Sequence, residues 1–256
     1  GMSGRFPGAR SVDELWHILF SNKNVVNEIP QERFFWQDYK NELNCPWLGA
    51  VPGIKEFEPL FFEISPRDAE QMDPRQRLLL QESWKALEDA GYGKSHLSEN
   101  TIGMFVGVEQ GDYIQLADRN AIFTENQNAV LAARLAYFLN LTGPVLAIDT
   151  ACSSGLVAAH QACVSLRNQE CDTAIAAGVS LILTPNSFIG MDRAGMLSPD
   201  GTSYVFDKKA NGMVPGEAIA TIVLKRLSQA EKDGDNIHAI IRGNGINYDG
   251  KTNGIT

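Results

Sequence analysis

The 256-residue sequence holds only four cysteines, Cys45, Cys152, Cys163 and Cys171. None forms a C-x-x-C pair or a metal-binding spacing, so neither a disulfide scaffold nor a structural zinc site is expected. The compartment this implies is reducing and cytoplasmic. Long basic runs are missing from a chain whose net charge is −9, with a pI near 5.0, and nucleic acid is therefore not an expected partner. No apolar stretch approaches the ~20 residues of a membrane span, and the first residues do not look like a signal peptide. Short-period repeats and low-complexity tracts are also lacking. What is present is ordinary for a globular protein: 44% hydrophobic and 21% charged residues, in a length that suits one large domain or part of a larger one.

The stretch most loaded with chemistry is Ala147 to Leu156, AIDTACSSGL. The short branched run Val145 to Ile148 reads as a buried strand, and Leu156 to Leu166 as an apolar helix. Cys152 stands between them. A thiol at a helix start faces the unpaired N–H groups of the first turn, whose partial positive charge favours the thiolate. Ser153 and Ser154 suit the helix start, and Gly155 lets neighbouring backbone come close. The pattern is that of a nucleophile elbow with sulfur as nucleophile. The bland alternative is a cysteine that merely fills a core.

Along the chain, Ser11 caps a short helix with Glu14 as its capping-box partner and Leu15, Trp16 and Leu19 on the apolar side. Residues 22 to 64 carry prolines and aromatics without a steady period and read as a loop-rich excursion, packed down by Arg33 to Trp36 and Phe57 to Ile64. Asp73-Pro74 opens the clearest helix and Gly91 ends it. Its buried stripe is Leu80, Trp84, Leu87 and Ala90, with Glu82, Lys85, Glu88 and Asp89 as a solvated face. Beyond residue 102, strands at 102–108, 145–148, 174–183, 219–224 and 237–242 alternate with helices at 128–139 and after Cys152. That order argues for an α/β layered domain with a largely parallel sheet. The 174 and 219 strands, with no full helix between them, read as an antiparallel pair at one edge.

Asp149-Thr150-Ala151-Cys152-Ser153-Ser154 resembles the active-site signature of β-ketoacyl synthases, the condensing enzymes of fatty-acid and polyketide assembly. Phe61 to Ala69, Met72 to Tyr92, Gly195 to Gly201, Phe206-Asp207, Ala210 to Gly212 and Val214 to Ala218 are similar to further blocks of that family. With Asn211, Ala218 and Asn247 to Thr256, the wording looks most like modular type I polyketide synthases, of the kind whose acyltransferase is a separate protein. The resemblance implies a thiolase-like layered α/β fold. Gly1 to Ala9 matches a motif that follows the first core strand, so the chain is expected to be the N-terminal half of a ketosynthase domain, residues 1–256, with that first strand missing.

The activity so implied is decarboxylative Claisen condensation with Cys152 as the catalytic nucleophile. No cofactor or metal is bound directly, and substrates ride on the 4′-phosphopantetheine of acyl carrier protein. Acyl carrier protein and other polyketide synthase domains are the implied partners, and the complete domain is implied to be a homodimer. The family's two catalytic histidines lie in its second half, and neither motif is present. His160 is eight residues beyond Cys152, a rise of ~12 Å along one helix. His17, His96, His160 and His238 therefore read as structural or exposed, as do Asp149, Glu217 and the glycines. The 256 residues alone are expected to be inactive in condensation and poorly folded.

Alternatives remain open at this level. A non-condensing ketosynthase also transfers acyl chains through Cys152. A chain-length partner subunit usually lacks the cysteine. A cysteine hydrolase favours a G-x-C-x-G elbow, where this chain has Ala151. Gly245 to Thr252 satisfies the literal P-loop pattern after an expected strand, but Asn253-Gly254 is a poor start for the helix a phosphate needs.

Overall fold

The computed structural model describes residues 1–93, 97, 99–117 and 123–251. His96 and Thr252 to Thr256 lie outside the described residues. The core is a five-stranded mixed sheet of β1 (Met2–Arg5), β4 (Ile102–Gly107), β5 (Val145–Ile148), β6 (Thr173–Ser180) and β7 (Ala218–Lys225), in the order β1-β7-β6-β4-β5. A two-residue pair, β2 (Asn27–Glu28) with β3 (Trp47–Leu48), lies apart from it. The helices are α1 (Val12–Phe20), α2 (Pro66–Gln71), α3 (Pro74–Asp89), α4 (Asn128–Phe138), α5 (Ser154–Arg167), α6 (Pro185–Arg193) and α7 (Leu227–Asp233). No helix among the described residues is long and apolar enough to cross a membrane.

Strand alternation sorts the core into two layers of contact. Ile102, Met104 and Val106 of β4 and Ile175, Ala177 and Val179 of β6 meet the leucines of α3 and α4 on one face. Phe105, Ala174 and Ala176 meet Ala158, Ala162 and Leu166 of α5 on the other. Every residue of β4 is buried, as befits a parallel strand covered on both sides.

The second face is packed unusually closely. A Cβ built on Gly107 at the end of β4 would lie 2.4 Å from the backbone N of Gly155 and 2.4 Å from the carbonyl carbon of Ser154. Gly178 of β6 presents its Cα to the same glycine, which a Cβ would approach at 3.5 Å. The close approach expected of Gly155 is therefore realised, and it seats the amino end of α5 directly on the sheet.

Several expectations need correction. β5, read as a buried strand, is only partly buried at the sheet edge, with Leu146 and Ala147 exposed. Met2–Arg5, part of the stretch read as lying just past a strand, itself forms β1, antiparallel to β7 with Gly4 opposite Ala220. Glu82 is not on a solvated face: its side chain is 0% exposed and pairs with Arg5 at 2.9 Å and with Ser3 at 2.6 Å. Both differences have one cause, since β1 lies across α3 and supplies the partners that a carboxylate needs when it leaves water. The antiparallel β6–β7 pair does form, but β1 lies outside it and α6 stands between the two strands in sequence. Residues 237–242 form no strand. Ile237, Ile240 and Ile241 are exposed, and the ladder partner that defines a strand is not found for them among the described residues.

The helix signals are realised in detail. Ser11 Oγ accepts the Glu14 amide at 3.2 Å, while the Glu14 carboxylate takes the Arg10 amide at 2.7 Å, one residue earlier than in the ideal capping box. Asp73 caps α3 through the Arg75 amide at 2.8 Å. Leu80 and Leu87 are buried, with Trp84 and Ala90 packed against the same cluster. Phe57 and Phe62 stack at 5.4 Å and pack against the core, and Phe61 meets Trp84 edge-on at 5.3 Å, but Phe61 and Phe35 of the loop-rich excursion remain about half exposed. By contrast, no residue of α1 is buried, and Trp16, Leu19 and Phe20 face outward.

The glycine contact yields an asymmetric prediction. Gly107→Ala forces its methyl into the backbone of α5 and should cost about 1–3 kcal/mol or more. Gly155→Ala meets only the Gly178 Cα at 4.0 Å. It should change stability by about 1 kcal/mol or less, with alanine the better helix former. Denaturant unfolding of both variants in the intact domain measures the difference.

Candidate active site at the junction of β5 and α5

β5 pairs in parallel with β4, with Ile148 opposite Gly107, and the Val108 amide donates to Ile148 O at 3.0 Å. The chain then reverses into α5 within five residues. Asp149, which is exposed, accepts the Ala151 amide on Oδ1 at 3.1 Å, a contact that shapes the turn. Ala151 sits in the left-handed region at φ 55°, a conformation that costs a non-glycine residue about 1–2 kcal/mol. Cys152 follows, exposed at the amino end of α5.

The two serines do different work from the expected cap. Ser153 is the N-cap residue, yet its side chain makes no capping hydrogen bond. It turns back instead, donating to Thr150 O at 2.8 Å and Thr150 Oγ1 at 2.9 Å. Ser154 Oγ accepts the Thr150 amide at 2.9 Å and donates to Ala151 O at 2.6 Å. The first-turn amides of α5 are thus left without a side-chain cap beside an exposed thiol. Their dipoles favour negative charge on a neighbouring atom.

The other three thiols lie in different surroundings. Cys45 is buried, and burial together with Asp192 pushes its thiol up to about 11. Burial also raises Cys163 and Cys171, the latter despite a contact to Ser165 Oγ at 3.5 Å. Of the histidines, His17 lies on the exposed α1, and His238 Nε2 pairs with Asp89 at 2.8 Å. His160 is on α5, and its Nδ1 is buried with no partner among the described residues. The P-loop-like run has neither a strand before it nor a helix within it among the described residues, which end at Lys251.

Buried carboxylates fix the loops at the carboxyl ends of the strands. Glu217 pairs with Arg33 at 2.8 Å and accepts the amides of Val51 and Ile182, each at 2.9 Å. The structural role expected of Glu217 matches this geometry. Asp112 accepts the Thr184 amide at 2.8 Å and the Leu183 amide at 3.1 Å. Arg75, held by Asp73, donates to Glu109 O at 2.7 Å, and Glu109 takes a short hydrogen bond from Ser180 at the end of β6. Asp112 and Glu109 carried no local signal in the sequence. The role of the Ser154 hydroxyl was hidden behind the more usual reading of a helix-capping serine.

These environments predict an order of thiol reactivity. A thiol raised to about 11 is only ~0.1% thiolate at pH 8, and the thiolate is the nucleophile. Iodoacetamide at pH 8 should label Cys152 first and Cys45 last, with Cys45 catching up only above about pH 10 or on unfolding. Peptide mass mapping over time reads the order, and equal rates for the two would contradict the burial of Cys45.

Comparisons with known proteins converge on one family. The family profile "Beta-ketoacyl synthase, N-terminal domain" matches residues 1–230. Polyketide synthase ThaG of Burkholderia thailandensis is 51% identical over 100% of this chain, which spans 4% of that protein. Polyketide synthase PksM of Bacillus subtilis is 51% identical, with 100% of this chain covering 6% of it. Among solved structures, the ketosynthase from module 6 of the Bacillus subtilis bacillaene synthase superposes with a TM-score of 0.93 at 49% identity, over 100% of this chain and 44% of that one. The oxazolomycin ketosynthase domain of Streptomyces albus gives a TM-score of 0.87 at 35% identity, over 92% of this chain and 43% of that one. With a thiolase-like α/β fold, a mixed central sheet and a profile match across most of its length, the chain belongs to the β-ketoacyl synthase family.

Proposed function

We propose that Cys152 is the acyl-accepting nucleophile of a condensing ketosynthase in polyketide or fatty-acid biosynthesis. The observation that carries this is an exposed thiol at the uncapped amino end of α5, on a turn held by Asp149, Ser153 and Ser154. Its thiolate attacks the thioester carbonyl of an acyl chain on the phosphopantetheine arm of acyl carrier protein. The acyl–Cys152 thioester forms and the pantetheine thiol leaves with a proton, which divides one difficult reaction into two. A malonyl-type unit on carrier protein then loses CO₂. Its enolate carbon attacks the acyl carbonyl, and Cys152 departs as thiolate. The Cys152 backbone N–H, at the helix end, is one donor to the developing oxyanion.

The chain spans less than half of the solved ketosynthases it matches. Residues 1–256 are accordingly read as the N-terminal part of a ketosynthase domain. The second oxyanion donor and the two family histidines are assigned to the remainder of that domain, and this part alone is inactive in condensation. Other polyketide synthase domains are its neighbours in the parent protein. A homodimer through β5 is consistent with its position at the sheet edge, where Leu146 is exposed.

The experiment mixes the complete domain with an acyl-loaded acyl carrier protein and follows intact mass. An acyl adduct should appear on the domain and should vanish in Cys152→Ala. An adduct that persists in that variant, or none in the wild type, defeats the assignment.

A further inference from the structure

We infer that Ser154 is a positioning residue for acyl transfer, its hydroxyl acting as the clasp that holds Ala151 in its left-handed conformation and so aims the Cys152 thiol. The inference rests on the reading of Cys152 as nucleophile. Ser154 is 5% exposed, so its hydroxyl is shielded from competition by water. It accepts from the Thr150 amide at 2.9 Å and donates to Ala151 O at 2.6 Å, and these two groups bracket the strained residue on either side. The Ala151 carbonyl also accepts the Ser154 amide at 3.0 Å, so one oxygen is gripped by both the backbone and the side chain of a single residue.

The clasp has a rigid anchor. Gly155, the next residue, is packed against Gly107 with no space for a side chain on the β4 side. The Ser154 backbone therefore has a defined place above the end of β4, and its hydroxyl transmits that place to the turn. Ser153 does not duplicate it: its hydroxyl reaches only Thr150 O and Oγ1, on the strand side of Ala151. Without the Ser154 hydroxyl, Thr150 and Ala151 lose the bridge across the left-handed residue, and the turn is free to relax toward ordinary backbone angles. Cys152, one residue on, would swing with it while the helix and the strand stayed in place.

The test uses the complete ketosynthase domain and the variants Ser154→Ala and Ser154→Thr, the second of which keeps a hydroxyl at the same position. Single-turnover acylation from acyl-loaded carrier protein is followed by intact mass across a range of donor concentrations. Ser154→Ala should lower the maximal acylation rate by about tenfold or more, as a displaced reacting group does. The donor concentration at half-maximal rate should change less than about twofold, because donor binding is untouched. Ser154→Thr should return the rate to within about threefold of wild type. A Ser154→Ala domain that acylates at the wild-type rate overturns the inference, as does a threonine variant as slow as the alanine one. Should Ser154→Ala fail to fold, the threonine variant decides alone: slow acylation by a folded domain overturns the clasp. The failure of the underlying reading looks different, since the wild type would then form no adduct or Cys152→Ala would keep one.

Discussion

Helix α5 approaches the sheet at a point where no side chain intervenes. Gly107 ends β4, Gly155 lies in the first turn of α5, and Gly178 ends the contact on β6. On the opposite face, the leucines of α3 and α4 hold those helices off the sheet by the usual thickness of a side chain. The glycine contact seats the start of α5 on the end of β4, and only five residues lead into α5 from the neighbouring strand β5. That short connection holds the left-handed Ala151 and the exposed Cys152, and the Ser153 and Ser154 hydroxyls tie it together.

The loops around the junction are also held by buried charge. Glu217 and Arg33 are 184 positions apart in sequence, yet each is nearly inaccessible and each carries further hydrogen bonds to main chain. A buried pair of this kind costs desolvation energy, which the hydrogen bonds to Glu217 offset, while the buried Nη1 of Arg33 has no hydrogen-bond partner among the described residues. Here Glu217 ties the Val51 loop to Ile182, while Asp112 ties the end of the β4 loop to Leu183 and Thr184. The loops that leave β4 and β6 at the same end as Cys152 are thus fixed to one another by carboxylates.

Much of this was legible in the sequence because it depends on local pattern. Period and capping residues located α1, α3, α4 and α5, and branched runs located β4 to β7. Cys152 stood out because a thiol between an apolar strand and an apolar helix leaves few local alternatives. The failures share a different character. Glu82 reads as solvent-facing until β1 is seen lying across α3 with Arg5 and Ser3 in reach. Residues 237–242 have the composition of a strand, but strand formation requires a neighbour and the sequence of one segment cannot supply it. The apolar side of α1 has the spacing of a core helix, and yet Trp16, Leu19 and Phe20 remain open to solvent.

The sequence by itself determined the alternation of elements, the position of the Cys152 thiol at a strand-to-helix junction, and the absence of a side chain at Gly155. Those are properties of adjacent residues, set by periodicity, backbone preference and side-chain size. Only the tertiary structure decided that Gly107 meets Gly155, that Glu82 and Glu217 find cations far along the chain, and that the Ser154 hydroxyl closes over Ala151 instead of capping its helix. Each of these joins groups whose encounter depends on how the sheet and helices stack, and hydrogen bonds of that kind exist only after the water between them has been removed.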